Sequence, residues 1–327
     1  MFEKISVIGA GGWGTTLAVL LAEKGHNVSL WVREKELADI IKKEKENKWF
    51  LPGVKIPDNL NVGNSLKDVA GNADLIVVAV PTQFLRNCAR DFSKFIRKDV
   101  IVVSVVKGLE ISSHKRASQI LEEELGNVRL VALSGPNHCE EVSRKIPTAT
   151  VIASKDASIL EKVKETFSTD YFKVYPHNDV VGVEICGAIK NIAAIAVGVC
   201  DGLGLGDNAK GSLITLGLAE MNKFGRHFGA KQNTCYGLAG VGDLVATCIS
   251  RHSRNRLAGE LIAKGKTSGE IKEIMHGMVA EGIETCKAVY EFSKKHNIDL
   301  PLTTQVYKVL YENKVLKTAI NDLISLI

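Results

Sequence analysis

An α/β domain followed by a helical one is what this sequence predicts, on three observations. The first half alternates short β-rich apolar runs with amphipathic segments, the pattern of strands buried on both faces and joined by crossover helices in a parallel sheet. From His177 onward the alternation stops and the chain turns helical, rich in Ala, Gly, Leu and Ile. The length, 327 residues, is that of about two typical domains. We therefore expect a parallel-sheet domain over residues 1–176 and an all-helical domain over 177–327. Strand candidates are 5–8, 28–32, 75–80, 100–106 and 130–133, followed by 149–153 and 172–175. Glycines concentrated at 202–206 and 237–242 read as breaks between helices of the second domain.

Composition excludes several classes. Apolar residues at 45% and charged residues at 24% are ordinary for a globular chain and far from the disordered range. The formal charge of +5 is spread evenly, with no basic tail and no aromatics interleaved with Lys or Arg. That argues against nucleic acid and is compatible with an anionic small molecule. The uncharged apolar stretch 191–200 is far short of the roughly 20 residues that span a bilayer, so a cytoplasmic protein without membrane insertion is expected. The seven cysteines (Cys88, Cys139, Cys186, Cys200, Cys235, Cys248, Cys286) form an odd set without a C-x-x-C pair. Reduced thiols are expected. Neither they nor the eight histidines show metal-ligand spacing, and no metal is expected.

The segment Gly9-Ala10-Gly11-Gly12-Trp13-Gly14 follows a strand candidate and opens an apolar helix over 15–22. This puts G-x-G-x-x-G in the strand, turn, helix context of a Rossmann-type dinucleotide domain. Gly9 permits the tight turn, Gly11 lets the backbone approach a pyrophosphate, and Gly14 allows close packing of helix on strand. The helix N-terminus then holds the anion through unpaired N–H groups and its dipole. The second strand ends Trp31-Val32-Arg33-Glu34 rather than on the acidic residue that takes the ribose hydroxyls of NAD. Arg33 points to a 2'-phosphate and so to NADP(H), with NAD(H) left open; the alternative is a solvated Arg33 with Glu34 capping the next helix. Trp13 either stacks on the cofactor or caps the sheet as an apolar lid, and Phe84 either lines the cofactor cleft or packs in the core.

Four longer motifs follow: Leu133-Ser134-Gly135-Pro136, Gly187-Ala188-Ile189-Lys190-Asn191, Asp201-Gly202-Leu203-Gly204-Leu205-Gly206-Asp207-Asn208 and Gly237-Leu238-Ala239-Gly240-Val241-Gly242-Asp243-Leu244. With the glycine loop, this set resembles the bacterial NAD(P)-dependent glycerol-3-phosphate dehydrogenases, from the first strand through Glu281. The resemblance implies reversible reduction of dihydroxyacetone phosphate to sn-glycerol 3-phosphate for glycerophospholipid synthesis, in a cytoplasmic homodimer. It also implies substrate contacts at Lys107, Gly135, Asn137, Asn191, Asp243, Thr247, Ser253, Arg254 and Asn255. Cofactor contacts are implied at Gly9, Gly11, Gly12, Trp13, Gly14, Arg33, Lys107, Cys139, Arg254, Val279 and Glu281. Some positions depart from the family's usual pattern. Gly12 stands where a serine or similar small residue is common, and Asn137-His138-Cys139 replaces Ser or Thr, Phe, Ala. Asn137 still offers a hydrogen-bond donor. Val106 stands where Ser or Thr is frequent, with Lys107 and Gly108 kept.

Ketone reduction places negative charge on the carbonyl oxygen, so an ammonium aimed there both stabilises it and donates the proton. Lys190 is the candidate. It interrupts the apolar helical stretch 181–199, where an unpaired ammonium would be costly and a buried one would drop its pKa from about 10.4. The alternative is a lysine snorkelling at a helix surface. Lys107 follows the apolar run 100–106, where a parallel strand delivers its carboxyl end to the ligand crevice. Asp243 begins an apolar helical segment, for which N-cap is the simplest reading, and the resemblance adds a substrate-side carboxylate. Thr247 lies at i+4 on the same face. Ser253-Arg254-Asn255, ahead of a helical run at 257–263, has the parts of a phosphate site: a bidentate guanidinium, a hydroxyl and helix amides. Without the resemblance, Ser253 reads as an ordinary N-cap beside an exposed Arg254.

Two other readings share the fold. A 3-hydroxyacid dehydrogenase of the 6-phosphogluconate type also puts Lys and Asn in the first helix after the nucleotide domain but lacks the 201–208 and 237–244 motifs. A non-catalytic dinucleotide sensor would have no reason to keep Lys190, Asp243 and Arg254 together.

Overall fold

The computed structural model of the protein describes residues 2–275 and 277–325. The chain divides into two compact units, Met1–Val106 with Ala117–Val180, and Lys107–Arg116 with Val181–Ile327. The second unit therefore takes back the ten-residue segment carrying Lys107, which a cut after residue 176 assigns to the first.

The strands of the first unit are β1 (Lys4–Ile8), β2 (Asn27–Trp31), β3 (Glu46–Asn47), β4 (Leu51–Lys55), β5 (Leu60–Gly63), β6 (Leu75–Val78), β7 (Ile101–Ser104), β8 (Arg129–Ser134), β9 (Thr148–Ala153) and β10 (Phe172–His177). Eight of them form one sheet in the order β10-β9-β8-β7-β6-β1-β2-β5. All four residues of β6 and of β7 are buried, as continuous apolar strands with both faces covered must be. Register fixes the working edge: Ile8 lies opposite both Trp31 and Val78, and Val78 opposite Ser104. The turns after β1, β2, β6 and β7 consequently leave the sheet at one level, the carboxyl edge where open α/β sheets bind ligands.

The sheet is mostly parallel, with one departure from expectation. β9 pairs antiparallel to β8 while β10 pairs parallel to β9, so the last two strands run against the others. The connection 135–147 holds only the one-turn helix Cys139–Val142, too little for a parallel crossover helix. Short alternating runs predict a strand but not its direction. The hairpin β3–β4 and edge strand β5 were not expected, because Trp49, Pro52, Gly53 and several polar residues break their apolar pattern.

The second unit is built around the helix Val180–Gly202, buried from Gly182 to Cys200. Length and composition alone would suit it to cross a membrane, but 89% of its most apolar window is buried inside the protein. It is a core helix, packed with Met221, Phe224, Leu244, Val289, Leu302 and Val306. Helix Arg254–Ala263 crosses it at backbone contact. A Cβ on Gly198 would stand 1.9 Å from the Arg256 carbonyl oxygen, and one on Gly259 2.1 Å from that of Ile195.

Candidate active site

The glycine loop of the first unit forms a cradle that side chains would fill. Gly9 has φ +111°, and a Cβ there would lie 2.8 Å from the Ala79 carbonyl oxygen; one on Gly14 would lie 1.9 Å from that of Gly9. Nothing lies within 4 Å of where a Gly11 Cβ would be, so the backbone is open to a close-approaching group. Gly11 is the N-cap of helix Gly12–Glu23 and no side chain caps it, which leaves helix-start N–H groups directed at that space. The buried Asn47 amide donates to the Ala10 carbonyl and to Thr15 Oγ1, each at 2.8 Å, and so fixes the turn. This residue escaped the sequence reading, since a lone Asn in a two-residue strand carries no pattern.

Other predicted cofactor residues sort themselves by environment. Trp13 packs on the sheet core against Phe172, ring centroids 6.2 Å apart, which favours the apolar-lid reading over stacking. A Cβ on Gly12 would meet Cys139 Sγ at 2.9 Å and the Phe50 carbonyl oxygen at 2.8 Å. Two departures from the family pattern thus touch each other: the thiol occupies the room that a side chain at position 12 would need. The Arg33 side chain is 67% exposed, pairs with Glu34 through Nε at 2.7 Å, and lies over the Phe84 ring at 5.8 Å. Glu34 sits at the N-cap of helix Lys35–Glu44 without making a cap bond, because its carboxylate is turned to Arg33. Phe84 is 51% exposed, which rules out core packing. Gly135 has φ +144° and its Cβ would stand 3.0 Å from Thr150 Cα; the buried Asn137 amide donates to Thr150 Oγ1 at 3.1 Å.

In the second unit the polar residues converge. Lys190 is 5% exposed, and its ammonium donates to Asp243 Oδ1 at 2.6 Å and to Thr247 Oγ1 at 2.7 Å. Lys107 donates to the other carboxylate oxygen, Oδ2, at 2.9 Å. Snorkelling is excluded for Lys190. Burial, opposed by the Asp243 charge and helped by that of Lys107, lowers the Lys190 pKa to about 8. Burial acts to raise the Asp243 carboxyl, yet the two ammonium groups prevail and hold it below its ordinary value. Asp243 is not a helix cap. A π-helical turn, Leu238–Gly242, runs straight into helix Asp243–Ile249, and the carboxylate is taken by the two lysines. Thr247, one turn on, donates to Asp243 Oδ1 at 3.2 Å.

Asn191 and Asn255 hold the cluster together. The Asn191 amide donates to the Lys107 carbonyl at 3.0 Å and to that of Gly187 at 3.3 Å. Asn255 donates to Asn191 Oδ1 and accepts from the Gly282 N–H, both at 2.9 Å. The far end of the Lys107 segment is pinned by a buried ion pair, Arg116 with Glu184 on the core helix, which the sequence reading also missed. Ser253 Oγ accepts the Arg256 N–H at 3.2 Å, so it is the N-cap of helix Arg254–Ala263, and Arg254 is exposed. Val279 is half-buried, and Glu281 opens helix Glu281–Lys295.

A dinucleotide cradle on a mostly parallel sheet, together with a helical unit centred on a buried lysine of lowered pKa, defines a nicotinamide-dependent dehydrogenase. The sequence model described as the NAD-dependent glycerol-3-phosphate dehydrogenase N-terminus matches residues 4–160, and that of the C-terminus residues 179–321. The chain belongs to this family. It is 47% identical over 324 residues to the glycerol-3-phosphate dehydrogenase [NAD(P)+] of Chlorobium limicola, spanning 98% of this chain and 97% of that one. A Clostridium perfringens protein of the same name is 43% identical over 320 residues, 98% and 96% of the two chains. Among solved structures, the glycerol-3-phosphate dehydrogenase of Coxiella burnetii superposes with TM-score 0.95 at 36% identity, covering 98% of each chain.

Proposed function

We propose that this chain catalyses the reversible NAD(P)H-dependent reduction of dihydroxyacetone phosphate to sn-glycerol 3-phosphate, with Lys190 as proton donor and acceptor. The observation that carries the reading is the buried Lys190–Asp243–Lys107 cluster: an ammonium kept dry, oriented at two points and brought to about 8. Gly9, Gly11, Gly12 and Gly14 would hold the dinucleotide pyrophosphate, for which the open face of Gly11 and the uncapped helix start are the fitting features. The nicotinamide, when bound, supplies the hydride.

The protein's own residues manage the oxygen and the phosphate. Two ammonium groups face one carboxylate, leaving a net positive charge where the carbonyl oxygen becomes negative. Asp243 stays ionised and, with Thr247, aims the Lys190 Nζ. Asn191 holds the Lys107 main chain and keeps a lone pair of its Oδ1 for the substrate. Arg254, exposed at a helix start, takes the phosphate beside the first-turn amides, with Ser253 shaping that turn. By likeness to the family, Gly135, Asn137, Cys139, Val279 and Glu281 are further ligand contacts. Arg33 favours NADPH over NADH. The setting is the cytoplasm, the product feeds glycerophospholipid synthesis, and the working form is a homodimer.

The test is a panel following NADPH and NADH absorbance with dihydroxyacetone phosphate and, separately, 6-phosphogluconate. Turnover with the first and none with the second is expected; failure with dihydroxyacetone phosphate overturns the reading.

A further inference from the structure

Outside the cluster just described, two thiols meet in the core of the second unit. The Cys186 thiol donates to Cys235 Sγ at 3.5 Å, and the two residues are 0% and 1% exposed. Cys186 lies on the core helix one turn before Lys190. Cys235 ends the four-residue helix Gln232–Cys235, just ahead of the π-helical turn that delivers Asp243. That turn rests on it at backbone contact, since a Cβ on Gly240 would stand 2.0 Å from the Cys235 carbonyl oxygen. Each thiol is thus tied to the segment that carries one partner of the Lys190–Asp243 pair.

We propose that Cys186 and Cys235 form an oxidative modification site, closed to a disulfide by a small hydroperoxide, and that closure disturbs the Lys190–Asp243 pair. A disulfide needs its sulfurs at about 2.05 Å, so they approach by about 1.5 Å. Buried thiols are ordinarily inert, and access here comes from the short helix. Lys231, Gln232, Asn233, Tyr236 and Gly237 around Cys235 are exposed, so one local opening brings its thiol to water. There it ionises and attacks the peroxide; the O–O bond breaks, a sulfenic acid forms, and one water leaves. On reclosing, the Cys186 sulfur displaces the sulfenic oxygen as a second water, so two thiols give up two electrons and two protons to one hydrogen peroxide. The half-buried Cys88 is a poor competitor, because burial, with Asp91 beside it, pushes its thiol up to about 12.

The chemistry of the pair is independent of the proposed reaction; only its effect on turnover rests on that reading. The native protein is treated with hydrogen peroxide, alkylated after unfolding, and cut with trypsin and chymotrypsin, since cleavage after Tyr236 separates Cys235 from Cys248. A linked Cys186–Cys235 peptide is expected, absent in Cys235→Ala. Turnover should fall at least about tenfold, as an ångström of misplacement implies, and return with dithiothreitol. Cys235→Ala should keep its turnover under the same peroxide. Full alkylation of both thiols in peroxide that oxidises Cys139 overturns the site, and a linked peptide with unchanged turnover overturns the coupling. A protein that never turns over dihydroxyacetone phosphate fails the functional reading, while the peptide map still decides the site.

Discussion

Lys190 and Asp243 lie 53 residues apart in sequence and 2.6 Å apart in space, and the proposed chemistry turns on that distance. With Lys190 as the proposed proton donor and acceptor, reduction would need its ammonium and the reverse reaction its free amine, so the two directions should have opposite pH dependences. Reduction should fall as pH rises through about 8 and oxidation should rise over the same interval, which initial rates in both directions will show. Lys190→Ala removes a group that acts on developing charge and should lower kcat by about 10²–10⁴-fold with little change in KM. Arg254→Ala, which removes the proposed contact to a fixed dianion, should instead raise KM for the phosphorylated substrate. Comparable losses in both parameters for both variants would contradict this division. Arg33 is exposed and its ion pair is with the adjacent Glu34, so Arg33→Asp should leave the fold intact and move the NADPH to NADH preference toward NADH. The residue types were readable from the sequence: a lysine in an apolar helix is conspicuous. That Asp243 serves the lysines rather than a helix end was not, because capping is a local inference and the ion pair is not local.

Elements hold these residues where they act. The segment Lys107–Arg116 is fastened to the core helix at both ends, by Asn191 on the Lys107 carbonyl and by Glu184 on Arg116. Glu184→Gln removes a carboxylate paired with a buried guanidinium, a change that typically costs about 3–5 kcal/mol. Chemical denaturation should show that loss. The loosened segment would also relieve the repulsion of Lys107 on Lys190, so the alkaline limb of the reduction profile should move upward. A second helix contact depends on Glu220, whose buried carboxylate accepts from the N–H groups of Leu302 and Thr303 at the start of helix Pro301–Tyr311. Burial outweighs those bonds and raises its pKa from 4.5 to about 7. The folded state therefore holds this proton over a range where the unfolded chain has lost it. Its contribution is full below about pH 4.5 and declines as pH rises toward 7, and Glu220→Gln should flatten the stability profile between those values. The helical stretches 15–22, 181–199 and 257–263 were legible in the sequence, but which faces meet was not. The contact at Gly198 and Gly259 depends on two hydrogens that no apolar pattern records.

For the whole molecule, the proposed dinucleotide site should show itself as ligand linkage. NADPH at about 100 times its Kd should stabilise the protein by about 2.7 kcal/mol, read as a rise in Tm, and Arg33→Asp should reduce that rise for NADPH more than for NADH. The alternation of strand and helix through the first half made the sheet legible, as did the glycine loop whose spacing is itself a geometric statement. Strand direction at β9 and β10 was not legible, because the pairing partner of a strand lies outside its own residues.

The sequence by itself determined the strand–helix alternation of the first half, the dinucleotide turn and the identity of the ionisable groups, since each follows from periodicity or side-chain chemistry within a few residues. Tertiary structure alone decided that Lys107 belongs with the helical unit, that Cys139 and Gly12 share one volume, and that Asn191 and Asn255 brace the lysines. Those outcomes depend on burial and contact between segments far apart in the chain. A local pattern supplies the groups, and only packing sets their distances, their dielectric surroundings and hence their pKa values.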